Sequence, residues 1–124
     1  MPYLDDARDV KFNLFEWLDL DSLLASTRYK EFDRDQLGMI LDECLKVSKG
    51  SLASCNIQGD RVGARFDAGK VTLPPGFIQA WKDLGEGGWI SPTSNPDFGG
   101  LGLPESVGTG ISEFIMGANT SVTL

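Results

Sequence analysis

The side chains available for chemistry are eighteen carboxylates, two thiols and a set of closely spaced glycines; histidine is absent. Without histidine there is no Ser–His or Cys–His relay and no imidazole base. Cys44 and Cys55 stand far apart, with no CxxC or Cys/His spacing to hold zinc. They read as two reduced thiols of a cytoplasmic chain. Asp42 and Glu43 are adjacent, so on a helix they point in different directions and belong to a solvated face. The run Phe98-Gly99-Gly100-Leu101-Gly102 invites a phosphate-cradle reading. A dinucleotide loop, however, needs Gly or Ala where Glu105 stands, and a strand before it. A Walker loop needs Lys and Ser/Thr. The glycines therefore read as a tight, close-packed turn, and no metal-ligand cluster is visible.

That turn feeds the stretch around which the chain is organised. Val107, Ile111, Phe114, Ile115, Ala118 and Val122 follow helical spacing to the end of the sequence. The other face offers Gly108, Ser112, Met116 and Asn119, and only Glu105 and Glu113 carry charge. A helix so poor in charge is buried on several sides. Gly108, Gly110 and Gly117 each cost about 1 kcal/mol relative to Ala in a helix interior, so close backbone packing must compensate. The helix reaches Leu124 without a Gly stop or a basic last turn, which is the expectation for a piece of a longer protein.

Upstream, Asp5 or Asp6 can cap a first helix, with Val10, Leu14, Trp17 and Leu18 as its stripe and Phe12 and Phe15 widening it. Residues 26–33 read as a loop carrying Tyr29 and Phe32. Asp33 with Gln36 forms a capping-box pattern. Leu37, Ile40, Leu41, Cys44, Leu45, Ser48 and Leu52 then share one face, opposite Asp35, Asp42, Glu43, Lys46 and Lys49. Lys46 can pair with Asp42 or Glu43. From Asn56 to Pro75, Gly59-Asp60-Arg61, Gly63 and Asp67-Ala68-Gly69 read as turns. Ala64-Arg65-Phe66 and Lys70-Val71-Thr72 form a small hairpin. Pro74-Pro75-Gly76 starts a helix carrying Phe77, Ala80, Trp81 and Leu84, which stops at Gly85-Glu86-Gly87-Gly88.

The bulk numbers bound the function class. A chain of 124 residues forms one fold of mainly α class, a small orthogonal helical bundle with one short β-hairpin insertion. Net charge of −7 argues against a nucleic-acid surface and serves solubility. No apolar run approaches the 20 or so residues of a membrane span, and the acidic start lacks secretory character.

The sequence resembles the N-terminal helical domain of acyl-CoA dehydrogenases. Phe98-Gly99-Gly100-Leu101-Gly102-Leu103-Pro104 followed by Ile111-Ser112-Glu113-Phe114 carries that likeness. So do Gly59-Asp60-Arg61-x-Gly63, Gly69-Lys70-Val71-Thr72-x-Pro74-Pro75-Gly76-Phe77 and Gly87-Gly88-Trp89. Within the family it is similar to the longer subgroup, some members of which act on methylthioalkanoyl-CoA. The resemblance implies an extension over residues 1–32, with Arg8-Asp9-x-x-Phe12, and the N-terminal domain proper over residues 33–124. It implies a parent enzyme that uses FAD for α,β-dehydrogenation of an acyl-CoA and passes electrons to an electron-transfer flavoprotein. The catalytic Glu, the flavin pocket and most CoA contacts have no positions in this sequence, so no catalytic residue is assigned, and neither Glu105 nor Glu113 takes that role. The resemblance places Thr120, Thr123 and Leu124 on the wall of the acyl pocket.

The chain alone is expected to be inactive, to bind no FAD and to self-associate as a homo-oligomer through its exposed apolar face. The competing reading is a complete small acidic helical module that binds a protein partner through its last helix.

Overall fold

The computed structural model describes Tyr3 and residues 5–124. Its elements run α1 (Arg8–Phe12), a π turn (Asn13–Trp17), α2 (Leu20–Leu24), α3 (Arg34–Val47), a second π turn (Ser48–Leu52) and α4 (Ala53–Val62). Then come β1 (Arg65–Asp67), β2 (Lys70–Thr72), α5 (Phe77–Glu86), a short 3-10 turn (Pro96–Phe98) and α6 (Glu105–Thr123). This is the mainly helical fold with a β-hairpin that the sequence led us to expect.

Helix α6 is the central post. It packs along α3, the second π turn, α4 and α5. Val107, Ile111 and Phe114 are completely shielded from solvent and meet Leu37, Leu41 and Leu52, equally shielded, in one continuous core. Burying a side chain of this size stabilises by about 1.5–3 kcal/mol. The glycines of α6 fit the expectation of close packing. A methyl on Gly110 would stand 2.7 Å from Val10 Cγ1, and one on Gly108 would overlap the Thr93 methyl.

The long apolar row of α3 holds, from Leu37 through Leu41, Cys44, Leu45 and Ser48 to Leu52. Asp33 starts the helix with both halves of the capping box: Gln36 N–H donates to Asp33 Oδ1 (2.8 Å), and Asp33 N–H donates to Gln36 Oε1 (3.1 Å). Lys46 pairs with Glu43 at 3.3 Å. Asp42 pairs instead with Lys11 of α1 at 2.6 Å, which ties the first helix across α3. At the hairpin, Arg65 faces Thr72, Phe66 faces Val71 and Asp67 faces Lys70. Ala68 and Gly69 both have positive φ, the geometry a two-residue hairpin turn requires.

Four local readings need correction. Gly59-Asp60-Arg61 is not a turn; α4 runs on to Val62, and the missing side chain of Gly59 makes room for the Phe77 ring. Along α1 and its π turn, Val10, Leu14 and Phe15 are buried but Phe12, Trp17 and Leu18 are exposed. The π turn holds an extra residue, so positions counted at 3.6 per turn drift off the core face. Trp81 is half exposed on α5, while Ala80 and Leu84 carry the contact. Finally, Asn119, read as part of the outer face of α6, is completely buried.

Candidate functional site

The Gly-rich turn is a packing device. Gly99 and Gly102 have φ of 84° and 68°, a region that L side chains avoid. Gly100 lies directly against the Ser94 carbonyl, leaving no space for a side chain. Its amides are already engaged. Gly100 N–H donates to the Asn95 carbonyl (3.2 Å), Gly102 N–H to the Ser94 carbonyl (3.0 Å) and Leu103 N–H to the Pro92 carbonyl (3.1 Å). A phosphate cradle needs several such amides free and convergent. The turn instead delivers Leu103 and Pro104, both buried, to the start of α6.

The chemistry of interest is at the other end of α6. Asn119 has φ −162° and ψ 87°, which breaks the helix, and a one-turn segment follows to Thr123. Its side chain is fully engaged. Asn119 Nδ2 donates to the Leu52 carbonyl (3.1 Å) and to Cys55 Sγ (3.4 Å). Val122 N–H donates to Asn119 Oδ1 (3.3 Å). That last bond is an N-cap geometry, the carboxamide closing the new turn from within the core. The carbonyl just before the break, that of Ala118, accepts from Asn56 Nδ2 at 2.9 Å. Two asparagines thus satisfy the backbone groups that the break exposes, as a buried site requires.

All three residues expected at the acyl wall lie on this last turn. Thr120 is exposed, Thr123 half-buried and Leu124 almost fully exposed. Thr120 Oγ1 donates to the Met116 carbonyl (2.8 Å), and Thr123 Oγ1 reaches the Thr120 carbonyl (3.2 Å). Both hydroxyls bond back onto the helix. The Thr methyl groups and the Leu124 side chain remain as the groups able to meet an apolar ligand. Sequence reasoning missed Asn119 and Asn56; spacing puts Asn119 on the face of Gly108 and Ser112, and only the packed structure shows it buried.

Other reactive groups are restrained. Burial pushes the Cys44 thiol up to about 12, against a smaller lowering by Ser48. Burial also raises the Cys55 thiol, opposed by its bond from Asn119. Hydrogen bonds from Ser51 and Gln79 lower Asp83. Among the described residues, no group of three or more His, Cys, Asp or Glu side chains could hold a metal ion.

No family model matches the chain. It is 32% identical to a broad-specificity linear acyl-CoA dehydrogenase of Mycobacterium tuberculosis over 97% of its length and 20% of that protein. It is 31% identical to a 3-methylmercaptopropionyl-CoA dehydrogenase of Ruegeria pomeroyi over its full length and 21% of that protein. A butyryl-CoA dehydrogenase of Syntrophomonas wolfei is 34% identical over 69% of the chain and 15% of that protein. Its homologues are acyl-CoA dehydrogenases. The chain therefore spans about a fifth of the length of the two relatives that it matches nearly end to end.

The two widest grooves of the chain are poorly suited to a flavin dinucleotide. A groove of about 940 Å³ between α1 and α3 carries Asp6, Glu16, Asp35 and Asp42 beside Arg8, Lys11 and Arg34. Lys11 is already paired with Asp42 and Arg34 with Asp21. That leaves Arg8 among Asp6, Glu16 and Asp35, whose carboxylates outnumber it and would oppose a pyrophosphate. A second groove of about 660 Å³ is walled by Phe32, Met39, Ile40, Trp89, Leu101 and Leu103, with Glu31 and Glu43 among its polar groups. It offers no cation for a phosphate.

Proposed function

We propose that this chain is the N-terminal helical domain of an FAD-dependent acyl-CoA dehydrogenase that introduces an α,β double bond into an acyl-CoA thioester. The observation that carries the reading is the match to acyl-CoA dehydrogenases along essentially the whole chain. In this reading residues 1–32 are an extension laid on the domain proper, residues 33–124. Thr120, Thr123 and Leu124 form one wall of the acyl pocket. Their support is chemical: hydroxyls bonded back to the helix leave an apolar surface suited to methylene groups. The reacting carboxylate and the flavin contacts come from elsewhere in the enzyme; in support, the two widest grooves of this chain hold more carboxylates than cations. The enzyme acts in the cytoplasm and hands its electrons to an electron-transfer flavoprotein.

The chain by itself is catalytically silent and free of flavin. Large apolar groups left open, Trp17 at 73% and Phe66 at 76% exposure, favour its self-association. The competing interaction-module reading has no observation in its favour. The test is oxidation of acyl-CoA by the intact protein, with flavin bleaching as the readout. Bleaching and 2-enoyl-CoA formation are expected. An intact protein that carries no flavin and oxidises no acyl-CoA would overturn the reading, as would turnover by residues 1–124 alone.

A further inference from the structure

We propose that Asn119 is a positioning residue that sets acyl-chain-length discrimination by fixing where the last turn of α6 stands. The inference rests on the reading of Thr120, Thr123 and Leu124 as acyl wall. The argument begins with an anomaly. A completely buried asparagine sits off the apolar row of α6, on the face that also carries Ser112, between the buried Ala118 and Val122. Burying a carboxamide costs free energy unless all its groups are satisfied. Here they are, and each partner bears on the same point. The break at Asn119 kinks α6 and sets the direction of the turn that follows. The Leu52 carbonyl and Cys55 Sγ fix the carboxamide from the side of α4. Its Oδ1 then holds Val122 N–H and so aims the turn that carries Thr123 and Leu124. Asn56 completes the arrangement by holding the Ala118 carbonyl.

The anchor is itself rigid. Leu52 is completely buried at the end of the second π turn, and α6 packs directly on that turn. Asn119 thus transmits the position of a core element to the turn that carries Thr123 and Leu124. A leucine in its place would fill similar volume but could cap nothing. Val122 N–H would lose its acceptor, and the wall residues would swing to new positions. A wall misplaced by about a methylene loses discrimination of roughly tenfold or more between adjacent chain lengths.

The experiment has two readouts in the intact protein. The first is hydrogen exchange at the Val122 amide. Asn119→Leu should raise its exchange rate about tenfold, the effect of losing one modest hydrogen bond. Asn119→Ser, which can still cap, should restore most of the protection. The second is kcat/KM across a series of straight-chain acyl-CoA thioesters. Asn119→Leu should flatten the chain-length profile about tenfold, with the change in KM exceeding that in kcat, and Asn119→Ser should recover it. If Asn119→Leu does not fold, Asn56→Ala carries the test, with the same direction and a smaller effect.

A uniform loss at every chain length, or unchanged exchange at Val122, overturns the positioning role. Thr123→Trp separates this from failure of the parent reading. An altered profile in Thr123→Trp with an unaltered one in Asn119→Leu refutes positioning alone. An unaltered profile in Thr123→Trp refutes the acyl wall, and the specificity role of Asn119 with it.

Discussion

Gly110 offers the sharpest test of how closely α6 is packed, because two effects of opposite sign compete there. Replacing a helix-interior glycine by alanine removes backbone freedom from the unfolded chain and stabilises by about 1 kcal/mol. At Gly110 the added methyl would stand 2.7 Å from Val10 Cγ1, 3.6 Å from Leu41 Cδ2 and 3.8 Å from Leu14 Cδ1. The two longer contacts are ordinary. The first needs Val10 to retreat by about an ångström, and Val10 is a buried, β-branched residue with little rotamer choice. Overpacking of this kind costs about 1–3 kcal/mol. Val10 has little room to yield, so overpacking prevails, and Gly110→Ala should destabilise by up to about 2 kcal/mol net. Gly50 is the internal control. It lies in the second π turn, and a methyl there would meet nothing within 4 Å. Gly50→Ala should therefore stabilise by about 0.5–1 kcal/mol. The assay is urea unfolding followed by circular dichroism, comparing midpoints at constant slope. If Gly110→Ala is neutral or stabilising while Gly50→Ala behaves as stated, α1 does not press on α6, and the account of the α6 glycines fails.

Three further outcomes are expected. Because burial holds Cys44 protonated up to about 12, its folded value lies above the ordinary 9.0. Its contribution is complete below that ordinary value, and stability should fall as pH rises from 9 toward 12. Urea midpoints across that range should decline less in Cys44→Ala, and equal declines would reject the cause. Asp83 has the opposite sign, since bonds from Ser51 and Gln79 lower it below 3.8. Its contribution is present above that value and is lost as pH falls through the depressed one, so Ser51→Ala should shift the acid unfolding midpoint upward; an unmoved midpoint would count against the bond. Asp33→Ala removes the capping acceptor of α3 and should cost about 1 kcal/mol in urea unfolding. Asp33→Asn should recover most of that loss, whereas an Asp33→Ala chain as stable as the parent would show that the cap contributes nothing.

What could be read from the residues divides along a physical line. Local rules acting on one element were legible. The capping box at Asp33 and Gln36, the hairpin around Ala68-Gly69 and the apolar rows of α3 and α6 depend on nearest neighbours in sequence, and all are in place. Errors arose where the period itself changes. The π turn Asn13–Trp17 holds an extra residue. Hydrophobic spacing counted at 3.6 therefore put Trp17 inward when it is exposed. Glycine was the other source of error. At Gly59 it was read as a turn signal, yet the structure uses its missing side chain to admit Phe77.

The site shows why polar residues at the end of a buried row resist such reading. Nothing in the pattern of α6 separates Asn119 from Ser112 or Met116, because a polar residue near a helix end is ordinarily solvated. What makes Asn119 different lies in residues 52–56, far away in sequence: a carbonyl to receive its donor, a thiol beside it and a second asparagine to hold Ala118. A buried carboxamide is stable only when such partners arrive together, so its meaning is a property of the packed pair α4 and α6. The same reasoning bears on Thr120, Thr123 and Leu124. Their identity gives little, since threonines that bond back to their own helix are common. The break immediately before them is what turns an ordinary helix tail into a segment whose direction is set by the core, and it is that direction, more than the side chains themselves, that a ligand of defined length would sense.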